Sequence, residues 1–257
     1  MCSDKLKQLL FLLYKGLNKH SSGRYLKKEF NHYLDVILMV LNTGMAWRQI
    51  TLNELHYTTY YKFFIKLIRL DLFNLAYKIV LLCHHKHNSN QLDTLFIDST
   101  LIKNINGSQL LGKNPCDRGR NGNKITVIVD KFGIPVSIHL ASANIHDSQL
   151  INTSINKSSI KLINCKIVGD RGYINEKIKM DLSKNDNINL IYPYRNNQKK
   201  GNSRENIQLL KKRHIVENFF SWLKRRKRIQ QRYEKKYINY LNFVYLAVID
   251  IVAKKVL

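Results

Sequence analysis

Three acids in this chain are placed where oxygen chemistry could be done. Asp98 directly follows the apolar run Leu95-Phe96-Ile97, and Asp170 directly follows Ile167-Val168-Gly169. Each is therefore expected to project from the carboxyl end of a buried strand, the edge at which open α/β sheets hold their ligands. Glu217 lies beside Val216 and Phe220 in a helical pattern, which places it at the margin of a buried stripe, where an uncompensated carboxylate is costly. Two strand-end aspartates and a helical glutamate suit a pair of Mg²⁺ ions, since hard divalent cations take oxygen ligands and phosphate oxygens can complete their shells. Singly, such an Asp is more often a turn former or a helix cap. Asp130 in a hairpin, Asp147 at the start of a short helix and Asp117 in a Gly/Asn-rich loop all fit that plainer role. The case for Asp98, Asp170 and Glu217 is joint.

The neighbours of Glu217 sharpen it. Arg213 is four residues earlier, on the same helical face, and Lys224 is seven later, again roughly in line. Cations on either side can pair with the glutamate in the absence of metal and hold phosphates when a polyanion is present.

These groups need elements to carry them. Up to about residue 90 the pattern is helical: Leu6, Leu9, Leu10 and Leu13 recur at three- and four-residue steps, as do Leu34, Ile37, Leu38 and Leu41. Asn42-Thr43-Gly44 ends the second of these helices, and Thr58 to Leu70 is a further amphipathic stretch. A small helical domain over 1–90 is expected. From Asp93 the period shortens to β-type runs at 95–97, 125–129, 134–140, 166–168 and 188–192, with Asp130-Lys-Phe-Gly133 as a hairpin loop. Three strands followed by alternating helix and strand predict an α/β fold over 91–257, a mixed sheet flanked by helices. A long helix carrying Val216, Phe219, Phe220 and Leu223 follows, and Tyr237 to Leu257 is a final apolar helix.

The chain of 257 residues carries 43 Lys+Arg against 18 Asp+Glu, a net charge of +25. So large an excess implies a polyanionic partner, most simply nucleic acid, because each neutralised phosphate releases condensed counterion. Charge alone implies binding and no chemistry. Runs such as Leu9–Tyr14 and Val36–Leu41 fall far short of the roughly 20 apolar residues of a membrane span, and Asp250 interrupts the last helix. MCSDKLKQ lacks the pattern of a secretory signal. An intracellular, DNA-associated protein with no membrane role is expected. Cys2, Cys83, Cys116 and Cys165 have no disulfide or zinc spacing, and the ligands of Cys83-His84-His85-Lys86-His87 point apart with no second cluster to complete a tetrahedral shell.

FIDST at 96–100, GDRGY at 169–173 and RHIVENFFSWLKRRKRI at 213–229 resemble the three acidic motifs of the DDE transposases of bacterial insertion sequences. The segment GKNPCDRGRNGNKITVIVDKFGIPVSIHLASANIHDSQLI at 112–151 is similar to the fifth insertion-sequence family, with its DRG-x-x-G-x-K loop, D-x-x-G-x-P hairpin and A-N-x-H-D turn. TGMAWRQI at 43–50 and TTYYKFFIKLIRLDLF at 58–73 are similar to that family's amino-terminal part, so the resemblance covers nearly the whole chain. Each short motif is weak; all of them in order are specific.

The resemblance implies a ribonuclease H-like catalytic domain in which Asp98, Asp170 and Glu217 bind two Mg²⁺ ions (Mn²⁺ as substitute), Asp98 bridging them. Arg213 and Lys224 match the Arg and Lys of the Y-x2-R-x3-E-x6-K signature in the related fourth family, whose tyrosine position is here Leu210. It implies cleavage at element ends and transfer of the freed 3′-OH into target DNA, by a homo-oligomer on double-stranded DNA. The helical domain would read the element ends, with Trp47, Arg48, Lys62 and Lys66 as candidates. Arg118, Arg120 and Lys124 in a flexible loop, and Lys199, Lys200 and Arg204 in the basic loop 196–204, would hold the backbone. A ribonuclease H-like nuclease of repair or resolution, or an inactive domesticated DNA-binding protein, would share most of these features.

Overall fold

The computed structural model describes residues 4–18, 26–50, 55–87, 92–194 and 201–256. Two compact units emerge, one of Met1–His87, Ile105–Gln109 and Trp222–Leu257, the other of Asn88–Asn104 and Leu110–Ser221. In chain order the elements are α1 (Asp4–Leu17), α2 (Phe30–Thr43), α3 (Tyr57–Arg69), α4 (Leu72–His87), β1 (Thr94–Asn104), β2 (Gly112–Lys113), β3 (Asn121–Asp130) and β4 (Pro135–Ser142). Then come α5 (Asp147–Asn156), β5 (Lys166–Val168), α6 (Glu176–Asp186), β6 (Asn189–Ile191), α7 (Arg204–Lys211), α8 (His214–Lys224), α9 (Lys227–Gln230) and α10 (Tyr237–Val256).

In the first unit the leucine periodicity does what amphipathic helices do. Leu6 and Leu10 of α1, Leu34, Ile37 and Leu41 of α2 and Phe64 and Leu67 of α3 are fully buried. A division of the chain at residue 90 does not describe the packing, because the last helix belongs with the first ones. α10 packs along α4, where Tyr77 stacks on Tyr245 at 5.6 Å, and Phe243 stacks on Phe64 at 4.4 Å. The segment Ile105–Gln109 is drawn in by the buried Arg232, whose Nη1 donates to the Gln109 carbonyl at 2.7 Å while its own carbonyl accepts from Ile105 N at 2.9 Å. α10 has the length and composition of a membrane span, yet 72% of its apolar window is buried inside the protein. Asp250, the acid that interrupts it, is ion-paired with Arg226.

In the second unit the sheet runs β2-β3-β1-β5-β6, with β4 also on β3. β1, β3 and β4 pair antiparallel, and β5 pairs parallel with both β1 and β6. The hairpin at 130–133 forms as its residues dictate: Gly133 takes the left-handed φ of 73°, and Asp130 Oδ1 accepts from the N–H groups of Phe132 and Ile134, both at 2.9 Å. Two elements differ from the sequence expectation. β1 does not end at Ile97 but continues to Asn104, paired with β3 as far as Lys103↔Gly122. Its second half is only partly buried, so it lacks the apolar signature that marks Leu95–Ile97. The expected long helix is two, α7 and α8, parted by a turn at Lys212-Arg213 that is closed by short-range bonds from Arg213 N to Leu210 O and from Val216 N to Arg213 O.

Candidate active site

β1 and β5 set the first two acids. Their parallel register ends at Phe96↔Val168, so Asp98 and Asp170 each stand two residues beyond the last pair. Asp98 is therefore in the middle of β1, opposite Val127 of β3, and not at a strand terminus. Its side chain is one-fifth exposed. Burial raises its carboxyl to about 6, aided by the nearby charges of Asp170 and Asp147 and opposed by the Ser99 N–H and the Arg213 guanidinium. The Ser99 N–H donates to Oδ1 at 2.8 Å.

Asp170 caps the short turn Arg171–Tyr173, accepting from Gly172 N at 2.8 Å, so the plainer capping role and a place at the site coincide in one side chain. The turn is pinned by Tyr173, which is fully buried. Its hydroxyl is 2.8 Å from Ser99 Oγ, itself 2.8 Å from Thr126 Oγ1 on β3. The residue after Asp98 thus ties β1 both to β3 and to the turn behind Asp170.

Glu217 sits in the first turn of α8, where the helix dipole favours a carboxylate. It is not at a buried margin: 58% of its side chain is exposed. Arg213, just before α8, spans the two sides of the site, with Nη2 3.8 Å from Asp98 Oδ2 and 3.7 Å from Glu217 Oε1. Lys224, half-buried, closes the same helix.

Among the described residues no three His, Cys, Asp or Glu side chains stand close enough to share one ion as placed. The donor set nevertheless fits a hard divalent cation. All its atoms are carboxylate oxygens, Asp98 is held near neutrality by burial and by two neighbouring carboxylates, and among the described residues the cation that compensates Asp98 is the Arg213 guanidinium, at ion-pair rather than hydrogen-bond distance.

The expected nucleic-acid contacts divide. Arg48, Lys62, Arg118, Arg120 and Arg204 are exposed. Lys66 donates to the Tyr14 hydroxyl at 3.3 Å. Trp47 packs its half-buried ring against Tyr61 and Phe64, both at 5.6 Å, which is the conduct of a core-margin aromatic rather than a base reader. Lys124 is no flexible-loop residue: it lies on β3 and is buried, its ammonium donating to Ile145 O at 2.8 Å and Asp147 Oδ1 at 2.9 Å. It has no face for a phosphate. Lys199 and Lys200, like Cys2, lie outside the described residues. Asp147, a plain helix start by its sequence, adds its charge to those that raise the Asp98 carboxyl. The signal was there in the A-N-x-H-D turn, but an acid at a helix start has a sufficient local reason to exist.

A mixed sheet of this order, with three antiparallel strands, two parallel ones and helices packed on it, is a ribonuclease H-like fold. A transposase DDE domain model matches residues 89–249, and the chain belongs to that family: it is a DDE transposase, an enzyme of DNA transposition. Among solved structures it is similar to the piggyBac transposase synaptic complex with hairpin DNA, at 10% identity and a TM-score of 0.50 over 98% of this chain and 73% of that one. The Mos1 transposase paired-end complex with the left transposon end gives 10% identity and a TM-score of 0.26, over 92% of this chain and 81% of that one. No curated protein matches it in sequence.

Proposed function

We propose that Asp98, Asp170 and Glu217 are the catalytic acids of this transposase and that they bind two Mg²⁺ ions, for which Mn²⁺ substitutes. The observation that supports this most directly is the shared geometry of Asp98 and Asp170, two residues past the last β1–β5 pair, with Arg213 between Asp98 and Glu217. The ions supply Lewis-acid stabilisation of charge on phosphate oxygens.

The chain's own groups do the rest. Asp98, one-fifth exposed, would hold the ions together with Asp170 and Glu217. A water oxygen attacks the phosphorus at the element end, the P–O3′ bond breaks, and the element keeps the 3′-OH while the flank keeps the phosphate. That 3′-OH then attacks a phosphodiester of target DNA, forming one P–O bond as another breaks. No side chain becomes covalently attached. When phosphates enter, Arg213 exchanges its carboxylate partners for them, and Lys224, two turns beyond Glu217, adds a second cation. Double-stranded DNA, at element ends and in the target, is the substrate, and two ends are brought together by more than one copy of the chain.

The test is Asp170→Asn in the full chain. It is expected to abolish Mg²⁺-dependent nicking of element-end DNA and transfer of a 3′-OH oligonucleotide, while duplex binding in a gel-shift assay stays at the wild-type level. Wild-type nicking in the variant would overturn the assignment.

A further inference from the structure

Lys124 is a buried cation on a strand of a DNA-processing enzyme, and it faces inward. Its ammonium holds Asp147 Oδ1 at 2.9 Å and the Ile145 carbonyl at 2.8 Å, so it closes the loop between β4 and α5 and fixes the first acid of α5. The other oxygen of Asp147 abuts Gly172. A Cβ built on Gly172 would lie 2.9 Å from Asp170 Oδ1 and 3.2 Å from Asp147 Oδ2. Both carboxylates therefore close on the space that a side chain at Gly172 would fill. Asp170 Oδ1 is committed to the Gly172 N–H at 2.8 Å, which leaves Oδ2 as the oxygen with which Asp170 reaches outward.

Two like charges so close repel unless one is compensated, and Lys124 compensates Asp147. A buried lysine is expensive to keep without a partner of this kind. The pair also costs the enzyme a DNA contact, since Lys124 could otherwise serve as one more cation in a protein that already has many.

We infer that Lys124 and Asp147 form a positioning pair: Lys124 clamps Asp147, Asp147 buttresses the Gly172 backbone, and Gly172 thereby sets where the Asp170 carboxylate points. The inference rests on Asp170 being a metal-binding acid. Neither Lys124 nor Asp147 touches substrate, and both act through Asp170.

The test uses Asp147→Asn, Lys124→Met and Gly172→Ala in the full chain, beside Asp170→Asn. Each is checked for folding by circular dichroism and thermal melting. Mn²⁺ affinity is read from the loss of the free-ion electron paramagnetic resonance signal, and the Mg²⁺ concentration for half-maximal nicking is measured separately. Gly172→Ala would set its Cβ 2.9 Å from Asp170 Oδ1 and so moves that carboxylate directly, which makes it the control for a displaced Asp170, while Asp147→Asn and Lys124→Met, two independent changes to the pair, carry the test. Folded variants are expected to bind Mn²⁺ about 10- to 100-fold more weakly, the range typical of losing a partner that orients a metal ligand. Their Mg²⁺ requirement should rise in step, with duplex binding unchanged. A merely structural role would lower the melting temperature and leave both metal readouts at wild type, and that result overturns the inference. If Asp170→Asn also binds Mn²⁺ like the wild type, the triad assignment itself fails. If it loses Mn²⁺ while folded Asp147→Asn or Lys124→Met keeps it, only the positioning role does.

Discussion

At Asp98 the charged form of the carboxyl is costly, because burial and the charges of Asp170 and Asp147 outweigh the help from Arg213 and the Ser99 N–H. The folded protein holds this proton up to about pH 6, against 3.8 for an ordinary aspartate. Between those values the native state binds more protons than the unfolded chain, so this group's contribution to stability falls as pH rises through that window. Below it the cost is absent; above it the cost is complete. Asp98→Asn is accordingly expected to raise the melting temperature of the metal-free protein at pH 8 by a few degrees, and to change nothing at pH 3.5. Differential scanning calorimetry at the two pH values checks it. The same variant should lack Mg²⁺-dependent nicking, the usual exchange of stability against function at a site built for charge.

Among the elements, α10 shows how an acid inside an apolar helix is tolerated. Asp250 is buried, and its carboxylate meets the half-buried Arg226 guanidinium, with Lys254 at 3.6 Å. Removing one partner leaves an uncompensated charge, so Asp250→Ala is expected to cost about 3–5 kcal/mol in urea unfolding, whereas Arg226→Met with Asp250→Leu together should cost far less. Helices and the hairpin were legible because their signals are local: apolar spacing for α1, α2 and α3, and Asp130 with Gly133 for the β3–β4 turn. The second half of β1 was not, since a strand whose residues are only half covered shows no alternation. Nor was the turn between α7 and α8, which falls in a run of cations with no Gly or Pro to mark it.

For the molecule as a whole, a net charge of +25 sets how DNA is held. Log affinity for duplex should fall linearly with log salt at about 0.9 per phosphate neutralised. The exposed Arg118 and Arg120 are expected to contribute, so Arg118→Ala with Arg120→Ala should reduce the slope by about 2. Lys124→Met should leave the slope as it is, because a buried ammonium displaces no counterion. Fluorescence anisotropy across a salt series separates the two cases; an unchanged slope in the arginine double variant would remove those residues from the interface.

Residue type and spacing by themselves determined the helical first part, the mixed sheet, the polyanion partner and the three acids worth watching, because periodicity, turn chemistry and net charge are written along the chain. Only the tertiary structure decided that Asp98 stands mid-strand, that Glu217 is open to solvent, that Lys124 faces inward and that Asp147 stands beside Asp170. Those are facts of which face a strand turns to its neighbour and which loop closes over it. Pairing register and packing set them between residues tens of positions apart, and no local pattern encodes that.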